Sequence, residues 1–182
     1  MIMMKVKEYK DVYPSKWLTM KKAIYLDKNN EEKEWDFVSR NNNRKVVDII
    51  CKNLKTKKYL LIKEFRVPIN KTVISFPAGL MDENETPEES AKRELNEETG
   101  YKDVKIDYIA PLSYKSPGLT DECTHLVFCS IKHEKKEEQK LEASEEIEIL
   151  WLSKKEFREY IKKLDFNKYA LDTILAAFML SD

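Results

Sequence analysis

Apolar and polar residues alternate along most of this chain and switch to a helical period in three places. Residues 17–27 (WLTMKKAIYLD) and 32–40 (EKEWDFVSR) predict two strands, with a turn at the polar run 28–31. After a polar break at 41–44 (NNNR), VVDIIC (46–51), YLLIKEF (59–65) and TVISF (72–76) predict three more. Pro77 through Asp82 reads as a loop and 87–99 as a helix. Strand character returns at 103–114, 122–131 and 146–152, with a mixed-sign solvated loop at 133–140. In 146–152, residues 147, 149 and 151 share a face, and Leu150 and Leu152 imply burial of the other face too. Residues 154–164 and 168–180 predict two closing helices, the second with a broad apolar stripe from Ala170 to Leu180. The break near 41–44 is the one plausible boundary, dividing a β unit (1–42) from an α/β body (43–182).

Charge narrows the partners. Lys+Arg and Asp+Glu both number 33, so the net charge is zero. Such a chain has no global field to recruit nucleic acid or an anionic membrane, and neither is expected as a partner. An anionic substrate must be held by local cations or by metal. Cys51, Cys123 and Cys129 show no CxxC spacing and lie in or beside apolar runs, which suits reduced thiols. No apolar stretch approaches the ~20 residues of a membrane span, and Met1 to Lys5 lacks the apolar core of a signal peptide. The expectation is a cytoplasmic protein.

The segment from Gly79 to Tyr101 carries the chemistry. Thr86, Pro87 and Glu89 form a capping box with proline at the first helical position, and Gly100 is a helix stop. On the helix between them, Glu94 and Glu98 share a face with Glu97 beside them, and Arg93 is four residues before Glu97. Ala91 and Leu95 form another stripe, suited to packing on a sheet. Clustered carboxylates repel one another, and a hard divalent cation such as Mg²⁺ would remove that repulsion. The plain alternative is a solvated Glu-rich helix.

The spacing goes further. Gly79, five residues, Glu85, seven residues, then Arg93-Glu94-Leu95-Asn96-Glu97-Glu98-Thr99-Gly100-Tyr101 resembles the Nudix box at every fixed polar and glycine position. Tyr101 departs from the usual bulky aliphatic, which would loosen local packing. The resemblance implies an α/β/α sandwich with a mixed sheet, plus a small N-terminal β-hairpin unit. It implies Glu94 and Glu98 as the main metal ligands, with Glu97 close by and the carbonyl of Ala78 as a further ligand. Glu85 and Arg93 would orient the helix, and Gly79 would let the backbone turn tightly. Mg²⁺ is the implied cofactor, with Mn²⁺ as a substitute. The implied reaction is attack of water on phosphorus, a carboxylate taking the proton. Viewed as an exposed ligand, Glu98 would contribute little to the core.

Within the family, Ser116 to Glu122, with Pro117 sixteen residues after Tyr101, resembles the ADP-ribose pyrophosphatase branch. By its own chemistry SPGLTDE is a tight turn. Trp17 and Trp35 and their surroundings resemble the N-terminal unit of dimeric members, implying purine stacking and a homodimer; the alternative is that each indole is hairpin core. Arg66, in KEFRVP, resembles the strand-end arginine that reaches the diphosphate, against the alternative of an exposed surface residue. Glu145 is the best candidate for a late catalytic glutamate, joining Arg93, Glu97 and Glu98, with Glu142 and Glu146 still open. Ser75 stands where ADP-ribose enzymes often carry an acidic residue. His125 and His133 have no partner at metal spacing. The implied activity is hydrolysis of a nucleoside-diphosphate sugar, first ADP-ribose to AMP and ribose 5-phosphate. The alternatives are another Nudix substrate, such as GDP-mannose or a dinucleoside polyphosphate, or a non-catalytic ADP-ribose-binding module.

Overall fold

A computed structural model describes residues 4–132, 136–143 and 145–181. His133 lies outside the described residues. The strands are β1 (Lys5–Pro14), β2 (Leu18–Leu26), β3 (Glu32–Arg40), β4 (Val46–Asn53), β5 (Tyr59–Arg66), β6 (Lys71–Ser75) and β7 (Ala78–Leu80). Helix α1 (Pro87–Thr99) follows, then β8 (Lys105–Ile109), β9 (Ser113–Tyr114), β10 (Cys123–Ile131) and β11 (Ile147–Leu152). The chain closes with α2 (Lys154–Ile161), β12 (Tyr169–Leu171) and α3 (Thr173–Leu180). These elements form two compact units, Met1–Val46 with Leu112–Thr124, and Val47–Pro111 with His125–Asp182.

In the first unit, the predicted hairpin β2–β3 is extended by β1 into a three-stranded antiparallel sheet. The sequence pattern did not signal β1. Its register with β2 shifts between Val6 and Glu8 and again between Asp11 and Tyr13, so its apolar residues fall out of a period of two. The loop 116–122 is tethered to β3 in four successive places. Trp35 Nε1 donates to Gly118 O (3.1 Å), Val38 N to Leu119 O (2.9 Å), Ser39 Oγ to Asp121 Oδ2 (2.8 Å), and Arg40 Nε to Glu122 Oε2 (3.1 Å).

In the second unit, the sheet runs β12-β6-β5-β4-β10-β8, with β11 against β5 and β7 against β4. It is mixed, because β12 runs parallel to β6 while β5 is antiparallel to both β6 and β11. Strand alternation sends side chains to two cores. Val47, Ile49, Cys51 and Leu60 face Ala91 and Leu95 of α1. Ile50, Leu61 and Ile74 face Phe157 of α2 and Leu175 and Met179 of α3. Ile149 and Trp151 join the first core, and Leu150 and Leu152 the second, as the pattern of β11 requires. This is the expected α/β/α sandwich. Three expectations are corrected. The run from Pro77 to Asp82 is not all loop, because Ala78–Leu80 forms β7 and pairs with β4. The last helix does not begin at 168: Tyr169–Leu171 pairs with β6, and Asp172 caps α3 through Leu175 N. Tyr101 does not loosen the packing: it is buried edge-on against Trp151, whose Nε1 donates to its hydroxyl at 3.0 Å.

Candidate active site

Helix α1 begins and ends where its local chemistry dictates. Thr86 and Glu89 satisfy each other's backbone N–H groups, Pro87 sits in the first turn, and Gly100 closes the helix at φ +78°. Leu95, fully buried, anchors one face. The other face carries Glu94, Glu97 and Glu98.

Arg93 organises this face. It makes a two-pronged pair with Glu85, Nε to Oε1 and Nη2 to Oε2, both at 2.9 Å. Its Nη1 reaches Glu94 Oε1 at 2.8 Å and Glu97 Oε2 at 3.1 Å, and Nη2 also donates to Leu80 O at 3.0 Å. The guanidinium holds Glu85 down to about 2, helped by the Asp82 N–H. One arginine thus ties the 80–85 loop to the helix.

Glu98 is not the exposed ligand its sequence context suggests. It is 7% accessible and accepts the Ala78 N–H at 3.3 Å. Burial first, then the charges of Glu94, Glu64 and Glu145, push its carboxyl up to about 9. Burial also raises Glu94, with Glu97 and Glu85 adding and Arg93 opposing. Gly79 is required for space rather than for a tight turn. A Cβ there would lie 1.9 Å from the carboxyl carbon of Glu94, and its φ lies outside the left-handed region.

Two functional candidates were missed by the sequence reading. Glu64 on β5 is raised by burial, with the charge of Glu145 adding to the rise and Arg66, at 2.8 Å, opposing it. Ile62, two residues before it, pairs with Ser75 across the β5–β6 ladder, so Glu64 shares a face with the residue that lacks the expected acid. A charged residue inside the apolar run of β5 was its only signal. Gln139, whose side-chain amide donates to the carbonyls of Glu98 and Ile147, is the second; an isolated glutamine in a charged loop carries no signal at all. Of the late glutamates, Glu145 is the one whose charge reaches Glu98 and Glu64; its carboxylate accepts the Glu142 N–H at 2.9 Å.

Among the described residues, no three His, Cys, Asp or Glu groups converge to hold a metal as they stand. Arg93 engages two of the carboxylates in question, Glu94 and Glu97. The donor chemistry nevertheless fits a hard divalent cation, because a buried carboxyl is crowded by the charges of three other carboxylates.

In the first unit, Trp35 and Pro117 line one apolar cavity of about 490 Å³ with Tyr9, Tyr25, Phe37 and Tyr114. Trp17 is not in that lining; it is exposed, with Lys16 Nζ 4.4 Å from its ring centroid. Neither indole is buried. His125 places Nδ1 3.3 Å from Ala110 O.

Known proteins are similar to this chain in sequence and in fold. A nudix hydrolase of Caenorhabditis elegans is 34% identical over 125 residues, 66% of this chain and 56% of that protein, so the chain spans little more than half of its length. An ADP-ribose pyrophosphatase of Saccharomyces cerevisiae is 34% identical over 175 residues, 90% of this chain and 75% of that one. A crystal structure of an ADP compounds hydrolase superposes with a TM-score of 0.64 at 18% identity, covering 91% of this chain and 86% of the other, a likeness of fold. The Nudix domain pattern matches residues 42–173, taking in the sheet, α1 and its carboxylates, and on that match the chain belongs to the Nudix family of hydrolases.

Proposed function

We propose that this protein hydrolyses the diphosphate of a nucleoside-diphosphate sugar in a metal-dependent reaction, with ADP-ribose as substrate and AMP and ribose 5-phosphate as products. The observation that carries the reading is the buried Glu98 carboxyl, crowded by Glu94, Glu64 and Glu145. The choice of ADP-ribose is supported by the name of the yeast relative.

Glu94 and Glu98 would hold the ion, with Glu97 and the Ala78 carbonyl completing the set; Mg²⁺ suits these oxygen donors, and Mn²⁺ could replace it. When bound, the ion neutralises charge on the diphosphate and acidifies water. Arg93 keeps the carboxylates of α1 in register with the 80–85 loop. Arg66 is half-exposed and binds a phosphoryl oxygen, exchanging its contact with Glu64. Glu145 accepts the proton as the water oxygen bonds to phosphorus and the bridging P–O bond breaks. Trp17, Trp35 and Pro117 serve the nucleoside, an aromatic surface being suited to a purine. A homodimer through the β1–β3 unit is supported by the exposure of Val6, Tyr9, Val12 and Tyr13 on β1. A cytoplasmic location is supported by three free cysteines, two of them buried. No helix is long and apolar enough to cross a membrane among the described residues.

The test is incubation with Mg²⁺ and ADP-ribose, GDP-mannose, a diadenosine polyphosphate or ATP, reading products by chromatography with Glu98→Gln as control. AMP and ribose 5-phosphate from ADP-ribose alone, lost in the control, support the reading. Preference for another compound moves the substrate. Binding of ADP-ribose without turnover of any compound overturns the catalytic reading.

A further inference from the structure

The side-chain amide of Gln139 donates twice, to the carbonyl of Glu98 at 2.6 Å and to the carbonyl of Ile147 at 3.1 Å. Glu98 lies in the last turn of α1, where carbonyls have no partner within the helix. Ile147 is the first residue of β11. Both hydrogens of one NH₂ group are therefore used, on two elements far apart in sequence.

The neighbours of Gln139 follow the same course. Lys140 N donates to Glu97 O at 2.8 Å and Glu137 N to Gly100 O at 2.9 Å. Gly100 permits this approach: a Cβ there would sit 2.1 Å from Glu137 O. Segment 137–140 is thus laid along the C-terminal end of α1. The chain then passes through Glu142 and Glu145 before entering β11, so Gln139 closes that loop at its base.

Satisfying the Glu98 carbonyl would by itself be an ordinary helix cap. The bond to Ile147 contributes nothing to α1; it fixes where β11, and the loop leading into it, begins relative to the helix.

We propose that Gln139 is a positioning residue, clamping the loop that carries Glu145 to the helix that carries Glu94, Glu97 and Glu98. This rests on the reading of Glu145 as proton acceptor. The main-chain bonds of Glu137 and Lys140 survive any substitution at 139, but they do not reach β11.

The test compares Gln139→Ala, Gln139→Glu, which keeps the shape but loses the donors, Glu145→Gln, and the double variant Gln139→Ala/Glu145→Gln. ADP-ribose turnover is measured alongside hydrogen exchange of peptides covering 136–147 and α1. Each Gln139 variant is expected to lose about 10- to 100-fold in kcat, the scale of a misplaced reacting group. KM should stay within about threefold. The double variant should be no slower than Glu145→Gln alone, and exchange should quicken in 136–147 with α1 unchanged. Losses that multiply in the double variant, or unchanged exchange in the loop, overturn the proposal. Absence of turnover in the unmodified protein would sink the hydrolase reading alone; exchange still decides whether Gln139 clamps the loop.

Discussion

Arg93 and Glu85 meet through two parallel hydrogen bonds of 2.9 Å each, and this pair joins the loop before α1 to the middle of the helix. The Glu85 side chain is 13% exposed, so the pair is only partly screened by water. Its carboxyl ordinarily titrates near 4.5 and is held at about 2 here. A depressed carboxyl contributes stability that is complete above its unfolded value and lost as pH falls through the folded one. Glu85→Gln is therefore expected to be less stable than the parent at pH 7, with the gap closing between pH 4.5 and 2. Urea unfolding of the metal-free proteins across that range checks this; a gap independent of pH would count against it.

Gly79→Ala should separate folding from function. The added methyl meets the far end of the flexible Glu94 side chain, not backbone. The fold is expected to lose no more than about 1 kcal/mol. Turnover should fall at least about tenfold, because Glu94 must leave its place. Thermal melts and Mg²⁺-dependent rates decide; a large loss of stability with full activity would contradict the assignment.

Glu98→Gln should leave the metal-free protein nearly as stable as the parent at pH 7. The reason is not exposure. With the carboxyl pushed up to about 9, the exchange replaces one neutral buried group by another of similar shape. A stability change within about 0.5 kcal/mol is expected, together with loss of turnover and of any rise in Tm on adding Mg²⁺. Retention of the Mg²⁺-induced rise would remove Glu98 from the ligand set.

Trp35→Ala is expected to raise KM for ADP-ribose about tenfold with little change in kcat, the size of one lost base–aromatic contact. Trp35→Phe keeps a stacking face but loses the donor to Gly118 O, so it should fall between the two. Steady-state kinetics test this. A fall in kcat at constant KM would point away from base contact.

What was legible in the sequence is what is local. The limits of α1 follow from Thr86, Pro87, Glu89 and Gly100, whose effects act within a turn of the helix. The two-faced burial of β11 follows from its own alternation. The shared face of Glu94 and Glu98 follows from helical period alone. The sequence did not disclose β1, whose register shifts scramble its pattern, or β12, whose three residues pair in parallel with a distant strand. Nor did it disclose the burial of Glu98, the nearness of Glu64, or the two bonds of Gln139. Those depend on which strand lies beside which and on how far water is excluded, and such contacts between residues distant in sequence are decided only when the chain has packed.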